Sequence, residues 1–403
     1  MNIRGHEAGV ARTTGIVFGA CVIVVLGALI FLFMPEGLLP SDHIDYGDLA
    51  GLSDLATTSV KAVEPLPVVT HIATPAAVKG IYMTSCVAST PSIRERVLSV
   101  MKDTEINALV IDLKDYTGTI SYAASKVPAP SGKGCRVADL PEFVARLHKD
   151  NIYAIARVTV FQDPLYAAAH PEIAVQSISH PDTPWTDKNR LAYIDPNFPA
   201  YWDYIVDISK EGYAIGFDEI NFDYIRFPSD GDMSDARFIL SASTTKAMAM
   251  TDFFSYLRSE LAPEGIIMSA DLFGQTTVNT DDMGIGQILE NALPYFDYVA
   301  PMVYPSHFIK DFDGYANPAE YPYEVIKSTM IRAVERAVTA SSSPDKLRPW
   351  LQAFDLGAVY TPDMVRKQIQ GVYDSGLTSW MLWNASNVYN KEALSPVIGQ
   401  RGD

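Results

Sequence analysis

The chain has 403 residues, with 31 Lys and Arg against 48 Asp and Glu, a formal net charge of −17, and 48% hydrophobic residues. This describes a globular protein with a substantial core and excludes a fibrous or disordered one. The acidic balance argues against a nucleic-acid partner and against docking on anionic lipid through a basic face.

The first element is apolar. Residues 15–34 read GIVFGACVIVVLGALIFLFM, without a charge; about 20 such residues span a bilayer core at 1.5 Å rise each. A cleaved signal has a shorter apolar run and a small-residue cleavage site. Here the run ends Phe33-Met34-Pro35-Glu36. It reads as a retained signal-anchor, with a cleaved signal as the alternative. Arg4 and Arg12 precede it, whereas Glu36, Asp42, Asp45, Asp48 and Asp54 follow before the next cation, Lys61. The positive-inside rule then puts residues 1–14 in the cytoplasm and everything beyond Met34 outside. Residues 35–77, rich in Pro, Ser, Thr, Ala and Asp, read as an extracytoplasmic linker.

Residues 78–398 alternate short apolar runs with amphipathic segments. Strands are expected at 80–84, 108–113, 153–160, 217–225, 266–272, 298–304, 350–354 and 380–383. Most are continuous hydrophobic runs, as in parallel strands covered on both faces. Helices are expected at 92–104, 140–150, 201–210, 243–261, 285–292, 323–340 and 362–375. Eight repeats of strand and helix predict an α/β fold, a (β/α)8 TIM barrel. The competing open sheet calls for a Gly-rich phosphate turn after its first strand, and Tyr82-Met83-Thr84-Ser85-Cys86 is none.

Barrel active sites lie at the C-terminal strand ends. Strand two brings Asp112 and Lys114 there, on one face by period two, and strand three brings Arg157. On strand four Glu219, Asn221 and Asp223 face inward by alternation, Asp223 nearest the mouth and Glu219 deepest, paired with Arg157 or Lys114; Arg226 follows. Asp218 faces outward as a cap or ion-pair residue. The remaining strand ends supply Asp271, Tyr304, Gln352, Asp355, Trp383 and Asn384. Carboxylates, cations and aromatic rings at one mouth suit cleavage of a glycosidic bond, which takes two carboxyl groups across the scissile bond. Aromatic faces hold sugar rings.

None of the seven histidines forms a His-x-His pair at a strand end. Neither a metal site nor a cofactor is expected. There is no Gly-x-Ser-x-Gly elbow for an esterase. Cys21 lies in the apolar segment, while Cys86 and Cys135 follow strands one and two. Outside the cytoplasm a disulfide between Cys86 and Cys135 is expected.

The run Gly216-Phe217-Asp218-Glu219-Ile220-Asn221-Phe222-Asp223-Tyr224-Ile225-Arg226-Phe227-Pro228-Ser229-Asp230-Gly231 resembles the signature of the putative glycosyl hydrolase domain family. Residues 79–84, 110–115, 193–196 and 300–305 are similar to that family as well. The resemblance implies a (β/α)8 barrel and a carbohydrate substrate. It also implies Asp223 as the catalytic candidate, since related barrels place a carboxylate at this strand-four position. Asn221 stands where the family carries Gln.

The mechanism expected is Asp223 as nucleophile or base and Asp271 on the adjacent strand as general acid, with Glu219 as runner-up acid. Arg157, Arg226 and Lys114 would keep the nucleophile ionised. Substrate contacts are expected from Asp112, Lys114, Arg157, Asn221, Arg226, Tyr304, Gln352, Asp355, Trp383 and Asn384. The alternative is a catalytically inactive barrel that binds wall polysaccharide, with Trp185, Tyr193, Tyr201 and Trp202 as its platform, although core or lid packing accounts for the same four rings.

Overall fold

The computed structural model describes residues 69–396 except 125, 126, 128–131 and 133. The apolar segment 15–34 lies outside them. Among the described residues no helix is long and apolar enough to cross a membrane.

Eight parallel strands close a barrel: β1 (Lys79–Met83), β2 (Ala108–Lys114), β3 (Tyr153–Thr159), β4 (Glu219–Asp223), β5 (Ile267–Phe273), β6 (Tyr298–Met302), β7 (Trp350–Gln352) and β8 (Trp380–Trp383). Closure is made by β1, which pairs with β2 on one side and with β8 on the other, Lys79 opposite Trp380. All eight expected strands are present.

Period-two alternation sorts the core into two layers. On β2 and β3, Leu109, Ile111, Ala154, Ala156 and Val158 pack outward under the helices. Val110, Tyr153 and Ile155 point into the barrel with Tyr82, Ala300, Trp350 and Met381. On β4 the outward set is Ile220 and Phe222. That frees Glu219, Asn221 and Asp223 to project inward, as the alternation predicts.

The helical layer comprises α1 (Pro91–Met101), α2 (Leu140–Lys149), α3 (Pro199–Ile215), α4 (Lys246–Leu261), α5 (Leu289–Ala292), α6 (Pro322–Thr339) and α7 (Pro362–Asp374). Its differences from expectation have local causes. α3 is longer than expected at both ends, because Pro199 is pre-shaped for a first turn and Gly216, at φ +120°, ends the helix. α4 begins later, where the Thr245 hydroxyl accepts from Met248 N–H as N-cap. α5 keeps only its last turn. Gly286 sits at φ +86° there, and a Cβ on it would meet the Lys246 carbonyl at 2.7 Å, so the chain before α5 is a turn.

The chain ahead of β1 lies against the bottom of the barrel. Ile72 N–H donates to Asp218, His71 stacks on Tyr213 at 3.9 Å, and Thr74 shares a hydrogen bond with Tyr153. Asp218 also accepts from Ala154 N–H and shares a hydrogen bond with His148, so it faces outward and ties backbone at this end, within the cap or ion-pair role expected of it.

At the opposite end, residues Gln176–Ser177 and Ala236–Arg237 form a short antiparallel ribbon joining the loops after β3 and β4. A disulfide joins Cys86 to Cys135, tying the loops after β1 and β2 across a 49-residue separation. Closing a loop of that size in the unfolded chain is worth about 4 kcal/mol in the chain-entropy account. Reduction is expected to lower the stability of the barrel by that amount. Unfolding midpoints that coincide with and without dithiothreitol, after both thiols are shown to be free, exclude it.

Candidate active site

The C-terminal mouth holds a cavity of about 420 Å³ whose wall includes Arg157, Asp223, Tyr224, Arg226, Asp271, Tyr304 and Trp383. Its floor is an ion-pair chain fixed by strand register, since Asp112 on β2 lies opposite Arg157 on β3. Arg157 Nη1 donates to Asp112 at 2.7 Å, while Nε and Nη2 both donate to Asp223 Oδ2, Nε at 3.1 Å. Tyr82 donates to the other oxygen of Asp112 and stacks on Trp383 at 4.0 Å. Both carboxylates therefore hold one guanidinium in plane, the geometry that suits a rigid fork.

Asp223 is the last residue of β4. Its Oδ1 accepts from the N–H of Tyr224, which sits at φ +53°, a left-handed conformation that ends the strand. A non-glycine residue pays roughly 1–2 kcal/mol to be there. The turn holds the carboxylate at the cavity wall instead of letting β4 run on to Ile225 as expected.

Asp271 follows Ala270, which pairs with Phe222, so the register brings it level with Asp223 on the neighbouring strand. It is 1% exposed. Its Oδ1 accepts from Asn221 Nδ2 at 2.9 Å and Trp350 Nε1 at 2.8 Å. Burial, reinforced by the charge of Asp223, pushes the Asp271 carboxyl well above the usual range; the two N–H donors and Arg157 oppose this and are outweighed. The protonated form of Asp271 is thus favoured, and Oδ2 is the oxygen without an N–H donor among the described residues. Tyr304, raised well above its ordinary value by burial and by both aspartates, keeps its hydroxyl proton beside the pair. Among the described residues no group of three or more His, Cys, Asp or Glu side chains is placed to hold a metal ion.

Asp223, Asp271, Arg157, Arg226, Tyr304 and Trp383 come together at the cavity, with Asp112 and Asn221 directly behind it. The other expected residues lie elsewhere. A bulge on β2 between Asp112 and Lys114 breaks their shared face. Lys114 turns away to pair with Asp163 at 2.9 Å and to donate to the Thr159 carbonyl. Gln352 braces the loops through Ser306, Phe354 and Leu356. Asn384 donates to the carbonyls of Ala353 and Val388. Asp355 is exposed and accepts from Tyr360 N–H.

Glu219 lies deep in the barrel, fully buried, and its partner is neither Arg157 nor Lys114. Arg348 donates to both carboxylate oxygens, at 2.9 and 3.0 Å, and Tyr153 donates as well. Lys114 and Arg157 are engaged nearer the mouth, whereas Arg348 precedes β7 at the other end and reaches across. Arg226 likewise makes no ion pair with Asp223 among the described residues, so Arg157 alone neutralises it. Glu219→Gln is expected to leave a buried cation uncompensated and cost about 3–5 kcal/mol, with kcat of the folded fraction retained. Loss of kcat in fully folded variant would return Glu219 to the catalytic set.

The proposed aromatic platform is buried. Trp185 and Tyr193 pack on Val175. Their polar tips donate to the Asp232 carbonyl and to Gln162. Tyr201 donates to the Val160 carbonyl and Trp202 to that of Pro196. All four rings are buried, as core or lid packing requires.

Sequence reasoning missed several wall residues: Tyr224, Phe273, Gln275, Met302, His307 and Phe308. His307 follows β6 directly, and burial lowers its pKa, so the ring is neutral. Its position after a strand was the one available signal.

A closed parallel barrel carrying a buried aspartate pair, a bridging arginine and aromatic rings at its C-terminal mouth defines a glycoside hydrolase-like domain. The chain belongs to the family described as putative glycosyl hydrolase domain, whose model matches residues 80–389. No curated protein matches the chain. Among solved structures it is similar to the PgaB (BpsB) glycoside hydrolase domain from Bordetella bronchiseptica, at 18% identity and a TM-score of 0.56 over 79% of this chain and 99% of that one. Alpha-L-fucosidase isoenzyme 2 from Paenibacillus thiaminolyticus aligns at 10% identity and a TM-score of 0.50 over 79% of this chain and 47% of that one. A hypothetical protein from Ruminiclostridium thermocellum ATCC 27405 is 30% identical, with a TM-score of 0.42, over 51% of this chain and 98% of that one.

Proposed function

We propose that the protein is a membrane-anchored, extracytoplasmic glycoside hydrolase that cleaves a poly- or oligosaccharide with Asp223 and Asp271. The observation that carries this reading is the opposed setting of the two carboxyls. Asp223 is held by Arg157 as an ion pair, while burial and the Asp223 charge keep the proton on Asp271. A carboxyl raised above its usual range beside a carboxylate held by a guanidinium divides the roles of acid and nucleophile. Asp223 attacks the anomeric carbon as the glycosidic C–O bond breaks, and the Asp271 proton passes to the leaving oxygen. The Asp271 carboxylate then takes a proton from the water that releases the sugar from Asp223. Neighbouring strands are about 4.8 Å apart, which favours the ~5–5.5 Å carboxyl separation of retaining enzymes.

The Cys86–Cys135 disulfide supports an oxidising compartment, and the charge asymmetry around 15–34 supports the orientation. The full-length protein is expected to stay with membranes through a carbonate wash and to release reducing ends from a panel of bacterial and plant polysaccharides. Glycan binding without release of reducing ends from any panel member favours the inactive, binding-only barrel; recovery in the wash removes the anchor.

A further inference from the structure

The two arginines of the cavity stand in opposite electrostatic settings. Arg157 is neutralised by Asp112 and Asp223. Arg226 lines the same cavity and is only 5% exposed, yet among the described residues no carboxylate lies within ion-pairing distance of it. Its guanidinium lies over the rings of Tyr224 and Phe273, 4.9 and 4.5 Å from their centroids. Nη1 donates to the Phe227 carbonyl and the Ser229 hydroxyl. Nε and Nη2 have no protein acceptor among the described residues.

Ring faces attract a cation but do not replace a counter-charge, and an uncompensated buried charge is costly. Asp230, also on the cavity wall, is on the exposed rim and does not pair with Arg226. Gln275 adds a neutral amide to the same wall. A planar fork with two unused donors, held between aromatic rings beside the catalytic pair, matches a planar carboxylate.

We propose that Arg226 is the core of a carboxylate-binding subsite, and that the substrate is an acidic glycan whose sugar carboxylate sits on Arg226 between Tyr224 and Phe273. The carboxylate belongs to a uronic acid or to a lactyl-type ether on the sugar. The placement of this subsite beside a scissile bond rests on the glycosidase reading; carboxylate binding itself does not.

The test measures binding by calorimetry on the full-length Asp223→Asn protein, which holds substrate without turning it over. The probes are tetragalacturonate against its carboxyl-reduced form, and an N-acetylmuramic acid-containing tetrasaccharide against chitotetraose. A sulfated tetrasaccharide is the control. One carboxylated probe is expected to bind on the order of 10- to 100-fold more tightly than its neutral match, the strength of charge-assisted hydrogen bonds, and the pair that shows this identifies the source of the carboxylate. Arg226→Gln brings that ratio close to one, and Arg226→Lys, which keeps the charge but loses the fork, leaves it between. Equal binding within both pairs overturns the subsite, as does a ratio that survives Arg226→Gln or a preference for the sulfated probe over both carboxylated ones. A carboxylate preference with no wild-type cleavage of any probe leaves the subsite standing and removes the glycosidase; cleavage without preference does the reverse.

Discussion

Asp223→Asn is expected to lower turnover of whatever glycan the wild type cleaves by at least ~10³-fold, the scale at which loss of a nucleophile leaves only binding and positioning. The substitution keeps shape and removes charge. Arg157 would still be paired with Asp112 through Nη1, so the variant keeps one of its two counter-charges. The structural cost is therefore the weakening of one charged hydrogen-bond set, about 1–3 kcal/mol, rather than exposure of a bare buried cation. The expected result is a folded protein with near-normal glycan affinity and no release of reducing ends. Turnover within tenfold of wild type, measured on protein checked for folding by circular dichroism, refutes the role of Asp223. Arg157→Lys separates positioning from charge: a lysine replaces one charge but cannot hold Asp112 and Asp223 in one plane, so kcat falls while KM changes less.

The fold was legible because its signals are periodic. The apolar runs and the alternation within 219–223 sort side chains into an outward set beneath the helices and an inward set, and the structure keeps that sorting. The placement of Asp223 and Asp271 on the cavity wall was legible for the same reason, since both take inward positions near the C-terminal ends of their strands. What failed were inferences that need irregular backbone or contacts across the barrel. The bulge on β2 moves Lys114 by one position of register and so to another partner. Period two alone cannot contain it. The partner of Glu219 is 129 residues away, on the far wall at the N-terminal end of β7. Gln352, Asp355 and Asn384 look like site residues by position but serve to satisfy loop backbone. The reverse error occurred at His307, Gln275 and Phe308. They lie in loops past the strands, where no period operates.

Asp271→Asn is expected to lower kcat on natural glycans by about 10²–10⁴-fold, the usual contribution of a positioned acid. Asparagine keeps the Oδ1 that accepts from Asn221 and Trp350 but cannot give a proton to the leaving oxygen. The loss therefore depends on the leaving group. Glycosides with acidic phenols need no proton, so their first step proceeds. The second step then lacks its base and slows, because nothing takes the proton from water. Azide needs no base and restores turnover with glycosyl azide as product, whereas a purely structural role for Asp271 gives neither effect. Stability moves in the opposite sense. Asp271 is raised in the folded state, so the folded protein binds a proton that the unfolded chain releases. Its contribution is fully present below the ordinary carboxylate pKa of 3.8 and is lost as pH rises through the higher folded value. Asparagine has no proton to lose. The difference in unfolding temperature should therefore shift in favour of the variant as pH rises through that window. Parallel curves from pH 4 upward exclude a proton held on Asp271 by burial beside Asp223.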